Sequence, residues 1–183
     1  MKKVFFDMDG VLTEYRQSCN ANELSKKGYF ETLKPEWNML GALKRLVENC
    51  DSLGISVFVL TKVYPTLFKY SVSEKLQWRD KYMPDLFDSE FIMVNGEQEE
   101  KSEAVRELIG EDINSDCILI DDYNANLREW RQNGGTPVKY VNGINDKNRS
   151  FVGKRLCFDM SEDEIYNALL ALIFTQSPAP VAA

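Results

Sequence analysis

The sequence contains no histidine among its 183 residues. That absence removes phosphohistidine chemistry, Ser-His-Asp and Cys-His nucleophile activation, and the usual histidine-bearing zinc sites. Acid/base work at neutral pH must then fall to carboxylates, Lys, Tyr or Cys. Any metal is expected to be a hard, oxygen-liganded ion such as magnesium. Cysteine is scarce too: Cys19, Cys50, Cys117 and Cys157 lie far apart and form no CxxC pair. They read as reduced and mostly buried, which favours the cytoplasm. No apolar run is long enough to span a bilayer, and Met1-Lys2-Lys3 meets Asp7 and Asp9 too soon for a signal peptide, so no membrane association is expected. A net charge of −7 with scattered Lys and Arg excludes the basic stripe of a nucleic-acid binder.

What is present is organised around Val4-Phe5-Phe6-Asp7-Met8-Asp9-Gly10-Val11-Leu12. The apolar run predicts a strand buried on both faces, with two carboxylates at its carboxyl end and a glycine where the chain turns. A strand followed by a plain Asp-Gly turn is the structural alternative. Further along, Ile55 to Leu60 predicts a second strand ending at Thr61-Lys62, Phe91 to Val94 a third, and Cys117 to Ile120 another that ends at Asp121-Asp122. Val138 to Val141 adds one more. Helices are expected around Asn20 to Leu24, Met39 to Cys50, Thr66 to Tyr82 (loosened near Ser71 to Ser73), Glu99 to Ile109 and Asn124 to Gln132. A last helix follows a Ser161/Glu164 capping box.

This alternation predicts an α/β fold: a three-layer, mostly parallel, Rossmann-like sheet with helices on both faces. Residues 1–176 read as one domain with a small cap insertion at about 13–36, and 177–183 as a disordered tail. In such a sheet all strand carboxyl ends share one edge, where Asp7, Asp9, Thr61, Asp121 and Asp122 converge. Lys101 has two readings, a helical-spacing ion pair with Glu97 or a cation reaching that edge. Lys62 likewise reads as a phosphate donor or a solvated loop lysine. Gly96 to Lys101-Ser102 is not a P-loop, because Glu100 stands where the glycine should be.

The set suits phosphoryl transfer, which needs a nucleophile, a proton route and positive charge around the phosphoryl oxygens. Asp7 is the candidate nucleophile and Asp9 its acid/base partner. Magnesium is expected on the Asp7 carboxylate, the Asp9 carbonyl and at least one of Asp121 and Asp122. Thr61 and Lys101, with Lys62 as a further donor, are the candidate phosphate ligands.

In this order the residues resemble the four motifs of the haloacid dehalogenase superfamily: Asp7-Met8-Asp9-Gly10-Val11, Thr61, Lys101 and Asp121-Asp122. The resemblance spans roughly residues 3–141 and implies a phosphatase or phosphotransferase, Asp9 being the mark of those branches. Within the superfamily, Asp7 to Leu12, Gly28-Tyr29-Phe30 with Leu33-Lys34-Pro35 and Gly41-Ala42, and Phe68-Lys69-Tyr70 with Glu74-Lys75 and Trp78 are similar to the 5'(3')-deoxyribonucleotidases. That similarity implies a small phosphorylated substrate, a (deoxy)nucleoside monophosphate, and points to Asp122 rather than Asp121 as the metal ligand. Two features depart from it: Thr61-Lys62-Val63 replaces Thr-Ser-Pro, and the cap is shorter. Tyr15, Tyr29, Phe30 and Trp37 are candidates to line the entrance or to pack under the insertion. The alternatives are a phosphatase or phosphotransferase for another small ester, and a non-catalytic binding or regulatory protein.

Overall fold

The computed structural model describes residues 1–14, 20–145 and 150–174. Its centre is a six-stranded sheet made of β1 (Lys2–Phe6), β2 (Ile55–Val63), β3 (Phe91–Asn95), β4 (Cys117–Asp121), β5 (Thr136–Val141) and β6 (Lys154–Cys157). The spatial order is β3-β2-β1-β4-β5-β6, and every neighbouring pair is parallel. The order reverses between β1 and β4. In open parallel sheets that reversal opens a crevice at the strand carboxyl ends, where ligands bind.

Strand side chains alternate between two cores. Val4 and Phe6 of β1 join Val57, Val59, Ile118 and Ile120 beneath α2 (Trp37–Glu48), α4 (Ser71–Tyr82) and α7 (Glu162–Phe174). Phe5 faces the other way, with Leu60, Val94 and Leu119, against α5 (Lys101–Ile109) and α6 (Asn124–Gln132). Phe5 stacks on Phe58 at 5.0 Å and meets Trp130 edge-on at 5.3 Å. Each such fully buried side chain contributes roughly 1.5–3 kcal/mol. This two-sided burial explains the near-continuous apolar runs of β1 and β4.

Three expectations are corrected. The helix expected from Thr66 starts at Ser71 and is not loosened there. The backbone N–H groups of Thr66 and Leu67 bond the Glu97 carboxylate at 3.1 and 3.2 Å instead of entering a helix. The second strand runs on to Val63, so Thr61 and Lys62 lie within it. β6 was not anticipated, because only Leu156 of its four residues is buried and no periodicity shows.

The short helix α1 (Ala21–Leu24) stands where the cap was expected, with Asn20 Oδ1 accepting from Glu23 N. A second short helix, α3 (Cys50–Leu53), extends the region after α2 by one turn. The Ser161/Glu164 capping box is formed. Cys117 is buried and, like the half-buried Cys50, a free thiol; Cys157 is half-buried, and Cys19, Tyr15 and the 177–183 tail lie outside the described residues. No helix among the described residues is long and apolar enough to cross a membrane.

Candidate active site

The site grows from the end of β1. Asp7 N donates to the Ile120 carbonyl at 2.9 Å, continuing the β1–β4 ladder one residue past Phe6. The Asp7 carboxylate therefore emerges at the crevice, level with Asp121. The N–H groups of Val11, Leu12 and Thr13 then all turn back onto the Met8 carbonyl. This tight loop needs Gly10, whose φ is +76°, and a Cβ there would stand 2.6 Å from Asp122 Oδ2.

Asp7, Asp121 and Asp122 are buried, and one oxygen of each lies within 4.8 Å of the others. Lys101 is the cation among them. Its Nζ is 2.7 Å from Asp7 Oδ1 and 2.7 Å from Asp121 Oδ2. The alternative reading of Lys101, an ion pair with Glu97, is not what the structure shows, since the Glu97 carboxylate accepts from the backbone at Thr66 and Leu67. Asp121 also accepts from Tyr123 N at 2.7 Å and Asn126 Nδ2 at 2.9 Å, so it is held on every side. Asp122 Oδ2 accepts from Asn142 at 2.9 Å and Asn145 at 3.2 Å. Lys139, level with Asp121 on the next strand, donates to the Asp122 carbonyl.

The electrostatics follow from burial. Desolvation pushes the Asp7 carboxyl up to about 7 against the pull of Lys101, with Asp121 and Asp9 adding repulsion. Desolvation likewise pushes Asp122 up to about 8, reinforced by Asp121 and Asp7 and opposed by Asn145 and Lys139. Burial alone would lower Lys101, but Asp121 and Asp7 outweigh it and hold the ammonium above its ordinary range. Three buried carboxylates thus share too little positive charge. An all-oxygen set of this kind fits a hard divalent cation.

Asp9 stands apart from the cluster. Its Oδ2 accepts from Lys75 Nζ, whereas its Oδ1 is buried without a partner among the described residues. The same ammonium donates to Thr61 Oγ1 at 2.7 Å and to the Lys62 carbonyl at 2.8 Å. Lys62 Nζ itself pairs with Glu100 at 2.5 Å while its side chain borders the crevice. Lys75 and Lys139 had no role in the sequence reading. Lys75 lies on the buried face of α4 with Ser71, Glu74 and Trp78, a mostly polar face that no apolar periodicity marks in the sequence. For Lys139 the signal was a charge inside the otherwise uncharged Thr136–Val141 run.

Two cavities meet at Asp9. The larger, of about 550 Å³, opens on Asp7, Asp9 and Asp122 and is bordered by Tyr64, Arg128 and Asn145. The smaller, of about 200 Å³, runs between Tyr29, Phe30, Leu33 and Phe68. Tyr29 and Phe30 therefore both line the site and pack against the core. Trp37 does not reach it: the side chain is exposed, edge-on to Tyr82.

No protein-family model matches the sequence, and no curated protein does. Solved structures do match. A D,D-heptose 1,7-bisphosphate phosphatase from B. bronchiseptica, complexed with magnesium and phosphate, superposes with a TM-score of 0.66 at 16% identity, covering 93% of this chain and 98% of that one. A haloacid dehalogenase-like hydrolase from Streptococcus pneumoniae gives 0.60 at 10% identity, covering 92% and 98%. A HAD-superfamily hydrolase from Ehrlichia chaffeensis gives 0.58 at 13%, covering 96% and 100%. The chain has the α/β, Rossmann-like fold of the haloacid dehalogenase-type hydrolases.

Proposed function

We propose that the protein is a phosphomonoester hydrolase that works through an aspartyl-phosphate on Asp7 and requires magnesium. The observation that carries this reading is the single edge on which Asp7, paired to Lys101, meets Asp121 and Asp122, with Asp9 one turn of loop away. Asp7, Asp122 and the Asp9 carbonyl would hold the ion, and Asp121 would position them. When bound, the ion neutralises the carboxylates and offsets their repulsion of an incoming phosphate.

The chain's own residues supply the rest. Asp7 attacks phosphorus, the bond from phosphorus to the ester oxygen breaks, and that oxygen leaves with a proton from Asp9. Asp9 then takes a proton from water, which attacks phosphorus and returns Asp7 to a free carboxylate with release of phosphate. Thr61 and Lys101 hold the non-bridging oxygens, with Lys62 as a further donor at the rim.

For the substrate, we favour a (deoxy)nucleoside monophosphate. The support is the aromatic-lined cavity beside Asp9, formed by Tyr29, Phe30 and Phe68, residues that lie within or beside the nucleotidase-like stretches. A sugar phosphate is the second reading, favoured by the larger cavity with Arg128 at its border and by the fold shared with heptose bisphosphate phosphatases.

The test is phosphate release from 5'- and 3'-(deoxy)nucleotides, sugar phosphates and an aryl phosphate, with magnesium and with chelator. Magnesium-dependent release concentrated on deoxynucleotides supports both activity and substrate. Release from sugar phosphates alone discards the nucleotide. No release from any ester by folded, magnesium-loaded protein overturns the reading and favours a binding or regulatory role.

A further inference from the structure

The first turn of α4 buries two opposite charges, Glu74 and Lys75, side by side. The Glu74 carboxylate accepts from Gly28 N at 2.5 Å and Phe30 N at 3.0 Å, tying the cap segment down. Lys75 points the other way, to the site, and the Phe30 ring lies 5.2 Å over its Nζ. An ammonium carries three protons, and here all are committed: one to Asp9 Oδ2, one to Thr61 Oγ1, one to the Lys62 carbonyl. Burying an ammonium costs several kcal/mol unless every proton is met. A methionine of similar length would fill the volume without that cost, so the charge is what this position supplies.

Two orientations follow. Asp9 is tethered through Oδ2, which leaves the unpartnered Oδ1 as the oxygen able to exchange a proton. Thr61 Oγ1 accepts from Lys75, so the hydroxyl's own proton is turned away from the ammonium and is available to an acceptor in the crevice. We infer that Lys75 is a positioning residue that sets Asp9 Oδ1 for proton transfer to the leaving oxygen and sets the Thr61 hydroxyl as a donor to phosphate. The inference rests on the phosphomonoesterase reading of the site.

Leaving-group dependence separates this role from a structural one. kcat/KM covers steps up to formation of the aspartyl-phosphate, in which an alkyl ester needs its oxygen protonated and a good aryl leaving group does not. Misorienting Thr61 weakens both esters alike, whereas misorienting Asp9 weakens the alkyl ester selectively. In Lys75→Met, kcat/KM for an alkyl phosphate should fall at least about tenfold further than for a nitrophenyl phosphate, out of the ~10²–10⁴-fold a positioned acid contributes. Thermal melting of the variant checks its fold. Equal losses on the two esters, or a smaller loss on the alkyl ester, overturn the inference.

If Lys75→Met does not fold, Asp9→Asn must show the same alkyl-over-aryl selectivity, and its absence overturns the inference by removing the group that Lys75 positions. Failure of wild-type protein on both esters is a different result: it removes the phosphomonoesterase reading itself, and the inference with it.

Discussion

Lys101 Nζ stands 2.7 Å from Asp7 Oδ1, with both side chains buried. One ammonium answers two carboxylates there, because Asp121 is its second partner. Removing the cation leaves both acids buried and unpaired. Lys101→Met should therefore destabilise the fold by about 3–5 kcal/mol, as breaking a buried pair from one side does. Denaturant unfolding at neutral pH measures it, and a loss below about 1 kcal/mol would show that the cluster is not held by this residue.

Asp7→Asn should separate activity from stability. The amide cannot serve as the nucleophile, so turnover should be abolished. It also removes one negative charge from a crowded, desolvated cluster. The melting temperature of the metal-free variant at pH 8 should therefore equal or exceed that of wild type. Wild-type-like turnover in this variant contradicts the nucleophile assignment.

The raised carboxyls at Asp7 and Asp122 make stability depend on pH. Below the ordinary carboxyl range, native and unfolded chains both carry these protons. As pH rises, the unfolded chain releases them first, and the native state retains them until about 7 and about 8. Metal-free protein should therefore lose stability steadily from about pH 4 to pH 8. Magnesium competes with the same protons, so the melting shift it produces should grow over that interval. Melting curves at several pH values with chelator or magnesium test this, and a magnesium shift that shrinks with rising pH contradicts it.

Glu74→Ala should loosen the segment from Gly28 to Phe30 without touching the acidic cluster. It removes the acceptor for two backbone N–H groups, at a cost of about 1–3 kcal/mol. Hydrogen exchange at Gly28 and Phe30 should accelerate while β1 and β4 stay protected. Unchanged exchange at those two amides would show that this segment is held elsewhere, for instance by the Trp78 Nε1 bond to the Leu33 carbonyl at 2.8 Å.

The fold and the acidic half of the site were legible in the sequence for one physical reason. Strands buried on both faces must be apolar throughout, so the carboxylates that end the apolar runs of β1 and β4, Asp7 and Asp121-Asp122, mark strand ends that a parallel sheet collects on one edge, and Thr61 stands near the carboxyl end of β2. The cations were less legible. Lys101 was noticed but given Glu97 as its alternative partner, because helical spacing reports neighbours on a helix and not across a sheet. Lys75 and Lys139 reach the site from a helix face and from inside a strand, Lys75 on a polar buried face that no apolar periodicity marks and Lys139 as a single charge in an otherwise uncharged strand. Asn142 and Asn145 follow β5 in a turn whose placement no periodicity encodes. β6 escaped for the opposite reason, being too exposed to carry a pattern.

The most direct test of the central claim is acid-quenching the magnesium-loaded protein during turnover of a phosphate ester, followed by peptide mapping. The account predicts a phosphate adduct on Asp7 that forms before steady state and disappears once substrate is exhausted. Steady phosphate release with no adduct at any early time, or an adduct on a residue other than Asp7, would contradict it.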